Sequence, residues 1–132
     1  MKVDPTGDDI RGLMEDDDGG PVVMLNLLRY SGEQGRESYR RYGEAAAAFL
    51  AKAGGRVLYA GECDAQLAGP DETPAWETLL LVEYPSRTAF VEMVTDPEYQ
   101  KITPLRSQGL EAAVLHPTRP WASARARGSA RA

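Results

Sequence analysis

One cysteine and one histidine are all that 132 residues contain. Cys63 has no second cysteine to pair with, so an internal disulfide framework is excluded, which fits a reducing cytoplasm. With His116 as the lone imidazole, the tetrahedral His/Cys metal sites are excluded as well. No acidic stretch has EF-hand spacing, and neither a metal nor a cofactor is expected. Gly-x-Gly-x-x-Gly, P-loop and Gly-x-Ser-x-Gly patterns are missing, which removes nucleotide, phosphoryl-transfer and serine-hydrolase chemistry. No apolar run approaches the roughly 18 residues that span a bilayer. Basic residues are outnumbered, with Lys and Arg at 15 against 20 Asp and Glu and a net charge of −5. Arg125, Arg127 and Arg131 sit in the acid-free stretch Ala122–Ala132, so the body of the chain is more acidic than the total. An acidic body argues against nucleic acid as a partner. The acids near the N-terminus, Asp4, Asp8 and Asp9 among them, are the opposite of a secretory leader. A cytoplasmic protein with no membrane or nucleic-acid partner is expected.

What is present is one domain's worth of core. Residues 1–20 read as an N-terminal helix and acidic loop, 21–121 as the folded domain, and 122–132 as a basic tail without large apolar residues, expected to be disordered. The domain is organised around Pro21–Tyr30, an apolar run whose one polar member before Arg29 is Asn26. Such a run reads as a central strand buried on both faces. An amide there is either a structural pin or the polar group of a ligand site, because an unsatisfied buried amide costs about 1–3 kcal/mol.

On either side of that strand the periodicity is helical. Thr6 and Asp9 form a capping-box pattern ahead of Ile10, Leu13 and Met14, which share a face over 6–16. After a loop at Ser31–Gly35, Arg36–Ala53 is a helix with Tyr39, Tyr42, Ala46, Phe49, Leu50 and Ala53 on its inner face, and the Ala45–Ala48 run permits close packing on a sheet. Gly54-Gly55 stops it. A strand over about Arg56–Ala68, with Gly61 as a bulge or close approach, returns through Gly69–Pro74 into a strand at Trp76–Tyr84. Ser86 caps a helix burying Phe90 and Met93, Asp96-Pro97 ends it, Thr103-Pro104 opens another through about Glu111, and Ala112–His116 closes the chain as a strand. The order β-α-β-β-α-β is a split βαβ repeat, an α+β fold with a four-stranded antiparallel sheet and both main helices on one face. The strands at Val22–Leu28 and Leu79–Val82 are apolar on both faces, so the uncovered face calls for a second copy, a homodimer. If Leu25 and Leu27 face the helices, Asn26 looks into the space between the two copies. The opposite parity puts it under the helices as a core pin.

The runs Pro21–Arg29, Tyr39-x-x-Tyr42, Gly54-Gly55-Arg56-Val57-Leu58-Tyr59-x-Gly61, Trp76-Glu77, Leu81–Arg87 with Ala89-Phe90, and Asp96-Pro97-Glu98-Tyr99 together resemble the domain of unknown function 1330 family. That family lies within the dimeric α/β-barrel superfamily. The resemblance covers roughly residues 6–117 and implies a ferredoxin-like fold and a dimer, without an agreed activity. It also implies a His-Arg pair where this chain has Leu105-Arg106, so a mechanism needing an imidazole there is in doubt.

Asn26, Glu83 and Arg106 are the candidate catalytic residues, and Tyr59 and Trp76 the candidate substrate contacts. Arg106 suits a bidentate clamp on a carboxylate or phosphate, Asn26 suits a carbonyl or enolate oxygen, and a desolvated Glu83 suits a base. The bland alternative makes Glu83 and Arg106 a structural ion pair, Tyr59 core, and Asn26 a backbone pin. Tyr39 and Tyr42 read as helix packing, His116 as an edge residue and Cys63 as buried and inert. Two functions follow. One is an enzyme without a bound cofactor, oxygenating, isomerising or cyclising a small, mostly apolar substrate. The other is a non-catalytic ligand-binding or regulatory dimer using the same cavity.

Overall fold

A computed structural model describes residues 2–121, so the basic tail at 122–132 lies outside the described residues. The chain runs α1 (Gly7–Glu15), β1 (Val22–Tyr30), α2 (Gly32–Lys52), β2 (Arg56–Glu62), β3 (Thr78–Tyr84), α3 (Arg87–Thr95), α4 (Pro97–Gln100), α5 (Thr103–Gly109) and β4 (Leu110–Thr118). The strands make one four-stranded antiparallel sheet in the order β2-β3-β1-β4. The two strands that are apolar on both faces, β1 and β3, are therefore the central pair, as the α+β reading of the element order requires.

Register fixes which side each residue takes. Asn26 lies opposite Leu80 on β3 and Leu115 on β4, while Leu25 lies opposite Leu81 and His116. Val22 and Met24 join Val82, Tyr84, Phe90, Met93 and Tyr99 in the main core, which Leu13 of α1 completes. The even-numbered residues of β1 thus face the helices, and Leu25 and Leu27 face away, the parity that puts Asn26 beneath the helices. Aromatic payload decides it. The even set ends in Tyr30, whose ring meets Tyr39 of α2 edge-on at 5.7 Å, and its neighbour strand ends in Tyr84, edge-on to Phe90 of α3 at 5.0 Å. Val23, Leu25, Leu27, Leu79, Leu81 and Val114 are left on the far face, with no helix of the described residues over them.

Caps set the helix starts. The Thr6 hydroxyl accepts from the Asp9 N–H at 3.2 Å and the Asp9 carboxylate accepts from the Thr6 N–H at 2.8 Å, a complete capping box for α1. Ser86 accepts from the Ala89 N–H at 3.1 Å to begin α3, and Asp96 accepts from the Glu98 N–H at 2.8 Å to begin α4. Buried Arg87 donates from Nη1 to the Leu13 carbonyl at 3.0 Å, tying α1 to α3.

Several boundaries differ from the sequence reading, each for a packing reason. α2 begins at Gly32, inside the stretch read as a loop, because Gly35 is a close-packing position and not a turn residue. β2 ends at Glu62, after which the Cys63 N–H donates to the Glu77 carbonyl at 2.9 Å, and Cys63 is half-buried where the sequence suggests burial. The register shift in β2 falls between Val57 and Tyr59, while Gly61 is a close approach, since a Cβ there would run into the Tyr59 phenol. β4 takes Leu110 directly from the end of α5, pairing it with Tyr30.

Candidate ligand cavity

A cavity of about 660 Å³ lies between the sheet and the helices. Met24, Asn26, Leu80, Val82, Tyr84 and Leu115 form its floor, Tyr39, Tyr42, Ala46 and Leu50 of α2 one wall, and Phe90 and Met93 of α3 the other. Tyr99 and Arg106 stand at the α4–α5 end, and Asp4–Gly7 with Ile10 cover it from the N-terminal arm. The volume is in the range of small-molecule sites, and its apolar lining with few polar groups has their usual character. Ala46 and Ala47, in the run expected to let α2 close on the sheet, border the void instead, their small side chains leaving it open.

Arg106 is the charge at the polar end. It is 6% exposed, and α5 is placed by Ser38 of α2, whose hydroxyl donates to the Leu105 carbonyl at 2.7 Å. Its Nη1 donates to Asp4 Oδ1 at 2.7 Å and to the Val3 carbonyl, and the Ser107 hydroxyl donates to Asp4 Oδ2 at 2.6 Å. Its buried Nη2 has no hydrogen-bond partner among the described residues. Such an orphan is rare in a native fold and calls for an explanation. Leu105, where the family resemblance implies a histidine, is half-buried and does not line the cavity.

The phenols around Arg106 are held protonated. Burial pushes Tyr39, Tyr42, Tyr84 and Tyr99 upward from the ordinary value, and the Arg106 charge only partly offsets this. Tyr42 and Tyr99 share a hydrogen bond between their hydroxyls. Their rings belong to a chain of edge and tilted contacts running Tyr30, Tyr39, Tyr42, Tyr99 and Phe49, with centroids 5.3–6.3 Å apart. At neutral pH the polar end offers the buried Arg106 guanidinium, the Asp4 carboxylate paired with it, and neutral hydroxyls. Asn26, 7% exposed, donates from Nδ2 to the Met24 carbonyl at 3.3 Å, a long bond that leaves the amide weakly engaged.

Of the five residues singled out in the sequence, Asn26 and Arg106 both line this cavity, which lies under the helices and not, as expected for a site residue at Asn26, between two copies of the sheet. Glu83 does not. It lies on the far face of the sheet, paired with Arg56 at 3.0 Å, and Tyr59 is on that face too, 54% exposed. Trp76 is half-buried in the segment before β3 and does not line the cavity. The ion pair suggested between Glu83 and Arg106 is absent, because Arg106 pairs with Asp4 instead. Asp4, Tyr84 and Tyr99 were not legible as site residues, since nothing local in the sequence links Asp4 to an arginine over a hundred positions away. Tyr39 and Tyr42 do pack as expected, and they line the cavity as well. Among the described residues no group of three or more His, Cys, Asp and Glu could hold a metal ion, and no helix is long and apolar enough to cross a membrane.

The family described as "Domain of unknown function (DUF1330)" matches residues 33–116. The chain belongs to this family. A DUF1330 chain of this kind is similar to a protein of unknown function from Rhodopseudomonas palustris, RPA0582, at 32% identity and a TM-score of 0.82, covering 90% of this chain and 96% of that one. More distant likenesses show the fold alone. One is a dimeric protein of unknown function and ferredoxin-like fold from Bacteroides fragilis, at 18% identity and TM-score 0.52 over 76% of this chain and 97% of that one. Another is the hydroxynitrile lyase from Passiflora edulis, at 12% identity and TM-score 0.58 over 79% and 96%. No curated protein matches the chain. The fold is ferredoxin-like, as the resemblance implies.

Proposed function

We propose that this DUF1330 protein is a cytoplasmic homodimer that handles a small, mostly apolar molecule in the cavity of each protomer, with Arg106 and Asn26 holding the ligand's oxygen-bearing end. The observation that carries this reading is Arg106, whose Nη2 is buried and unpartnered among the described residues and which lines a cavity of about 660 Å³ with an otherwise largely apolar lining. The far face of the sheet supports the dimer. Leu25, Leu27, Leu79 and Leu81 lie side by side there, an apolar patch of the kind that marks association.

Binding is favoured over catalysis because the described residues that line the cavity include no uncommitted carboxylate or imidazole base. Glu83 lies on the other side of the sheet, and Asp4 is held by Arg106 and Ser107. The catalytic reading, oxygenation, isomerisation or cyclisation without a bound cofactor, draws support from one feature. A guanidinium and neutral phenols lining one cavity are donors of the kind that stabilise a developing enolate oxygen.

Uptake of the neutral fluorophore N-phenyl-1-naphthylamine tests the site. The wild type is expected to bind it with enhanced emission, and Ala46→Trp, which fills the cavity, to lose most of that signal while keeping its far-UV circular dichroism. Asn26→Leu is expected to fold and to retain uptake of this apolar probe. Equal emission from wild type and a folded Ala46→Trp sinks the cavity reading.

A further inference from the structure

At Arg106 it is Nη2 that lacks an acceptor, while the side chain as a whole has a counter-charge. Its Nη2 is buried and unpartnered among the described residues, yet the Asp4 carboxylate already sits at 2.7 Å from Nη1. That carboxylate is not free to swing away at no cost, because Ser107 donates to its other oxygen at 2.6 Å. A ligand carboxylate would therefore bring a second anion to a guanidinium already shared. It would do so in surroundings that favour uncharged groups, as the raised phenols of Tyr39, Tyr42 and Tyr84 attest. A desolvated anion without a charge of its own to pair with is strongly disfavoured. A carbonyl oxygen offers the lone pairs that Nη2 needs and brings no charge.

We propose that the ligand is a neutral, mostly apolar carbonyl compound, in the class of ketones, esters, lactones and quinones, whose oxygen accepts from Arg106 Nη2, and that Asp4 is the internal counter-charge that turns carboxylates away. The proposal rests on the cavity reading above and sharpens it. Selectivity here comes from a repulsive element placed beside the attractive one. The N-terminal arm is thus part of the recognition site, although it precedes the ferredoxin-like sheet in the chain.

Displacement of N-phenyl-1-naphthylamine from the full chain by three molecules of matched shape tests this: 2-acetylnaphthalene, 2-naphthoate and 2-ethylnaphthalene. The ketone is expected to displace the probe at roughly tenfold lower concentration than either of the others, the range of one hydrogen bond to a charged donor. Arg106→Gln brings the ketone to the level of 2-ethylnaphthalene. Asp4→Asn keeps the side-chain shape and moves the ratio of 2-naphthoate to ketone affinity about tenfold toward the carboxylate. Where Arg106→Gln does not fold, the Asp4→Asn ratio decides alone. A wild type that prefers 2-naphthoate, a ketone no better than 2-ethylnaphthalene, or a ratio unmoved by Asp4→Asn overturns the proposal while leaving the cavity reading intact. Absence of probe uptake overturns both.

Discussion

Gly35 and Gly109 face each other where α2 crosses the end of α5, and a Cβ on either would stand 2.7 Å from the other's carbonyl oxygen. Both neighbours are backbone, so neither can yield without moving a helix. Gly35→Ala and Gly109→Ala are each expected to destabilise the fold by about 1–3 kcal/mol, the usual cost of overpacking a fitted contact. Because α5 carries Arg106, Gly109→Ala should also weaken ligand uptake in whatever fraction remains folded. Urea midpoints read the first effect. A midpoint within error of wild type for both variants contradicts the contact.

That contact also explains why part of the molecule could be read in advance and part could not. The strands, their order of appearance and the helix caps were legible because each depends on residues close in sequence: the apolar run at Val22–Leu28, the Thr6 and Asp9 box, the Ser86 cap. Gly35 could not be distinguished from a loop glycine, since its reason is Gly109, brought near only by the fold. The same holds for the site. Asn26 and Arg106 are conspicuous, one for its polarity in a strand and the other for its place in the family pattern. Asp4, which neutralises Arg106, and the far-face position of Glu83 depend on strand parity and on the path of the N-terminal arm.

Asp9 links α1 to pH. Its carboxyl is lowered from 3.8 to about 2, chiefly by the bond from Lys2 and then by the Thr6 backbone and hydroxyl. A carboxyl held below its unfolded value contributes stability above that value and loses it as pH falls through the folded one. The advantage of wild type over Asp9→Asn should therefore be full above about pH 4 and decline between pH 4 and 2. Urea unfolding of both proteins across that range measures it, and a stability difference that is flat with pH counts against the Lys2 pair and the capping box as its source.

The tyrosines make the opposite prediction at the alkaline end. Tyr39, Tyr42 and Tyr84 are pushed upward from 10.0, first of all by burial. Unfolded phenols ionise near 10 while these must stay protonated in the fold, so stability falls as pH rises past that point. Absorbance at 295 nm should show their ionisation arriving together with unfolding rather than ahead of it. In Tyr42→Phe that coupled component becomes smaller. Free titration of these phenols in a protein that remains folded would mean that the cavity end is wet.

The far face of the sheet supplies the last prediction. Leu81 of β3 stands between Leu25 of β1 and Tyr59 of β2, at the centre of the patch that no helix among the described residues covers. A patch of that kind is stabilised by a second copy, and a charge at its centre would be buried unpaired in the pairing. Wild type is expected to sediment at twice the 14.4 kDa chain mass, and Leu81→Arg at the single mass with unchanged far-UV circular dichroism. Leu81 points away from the cavity, so the monomeric variant should still take up the apolar probe. A wild type that sediments at the single mass at micromolar concentration removes the dimer, and a Leu81→Arg protein that stays dimeric moves the interface to another surface.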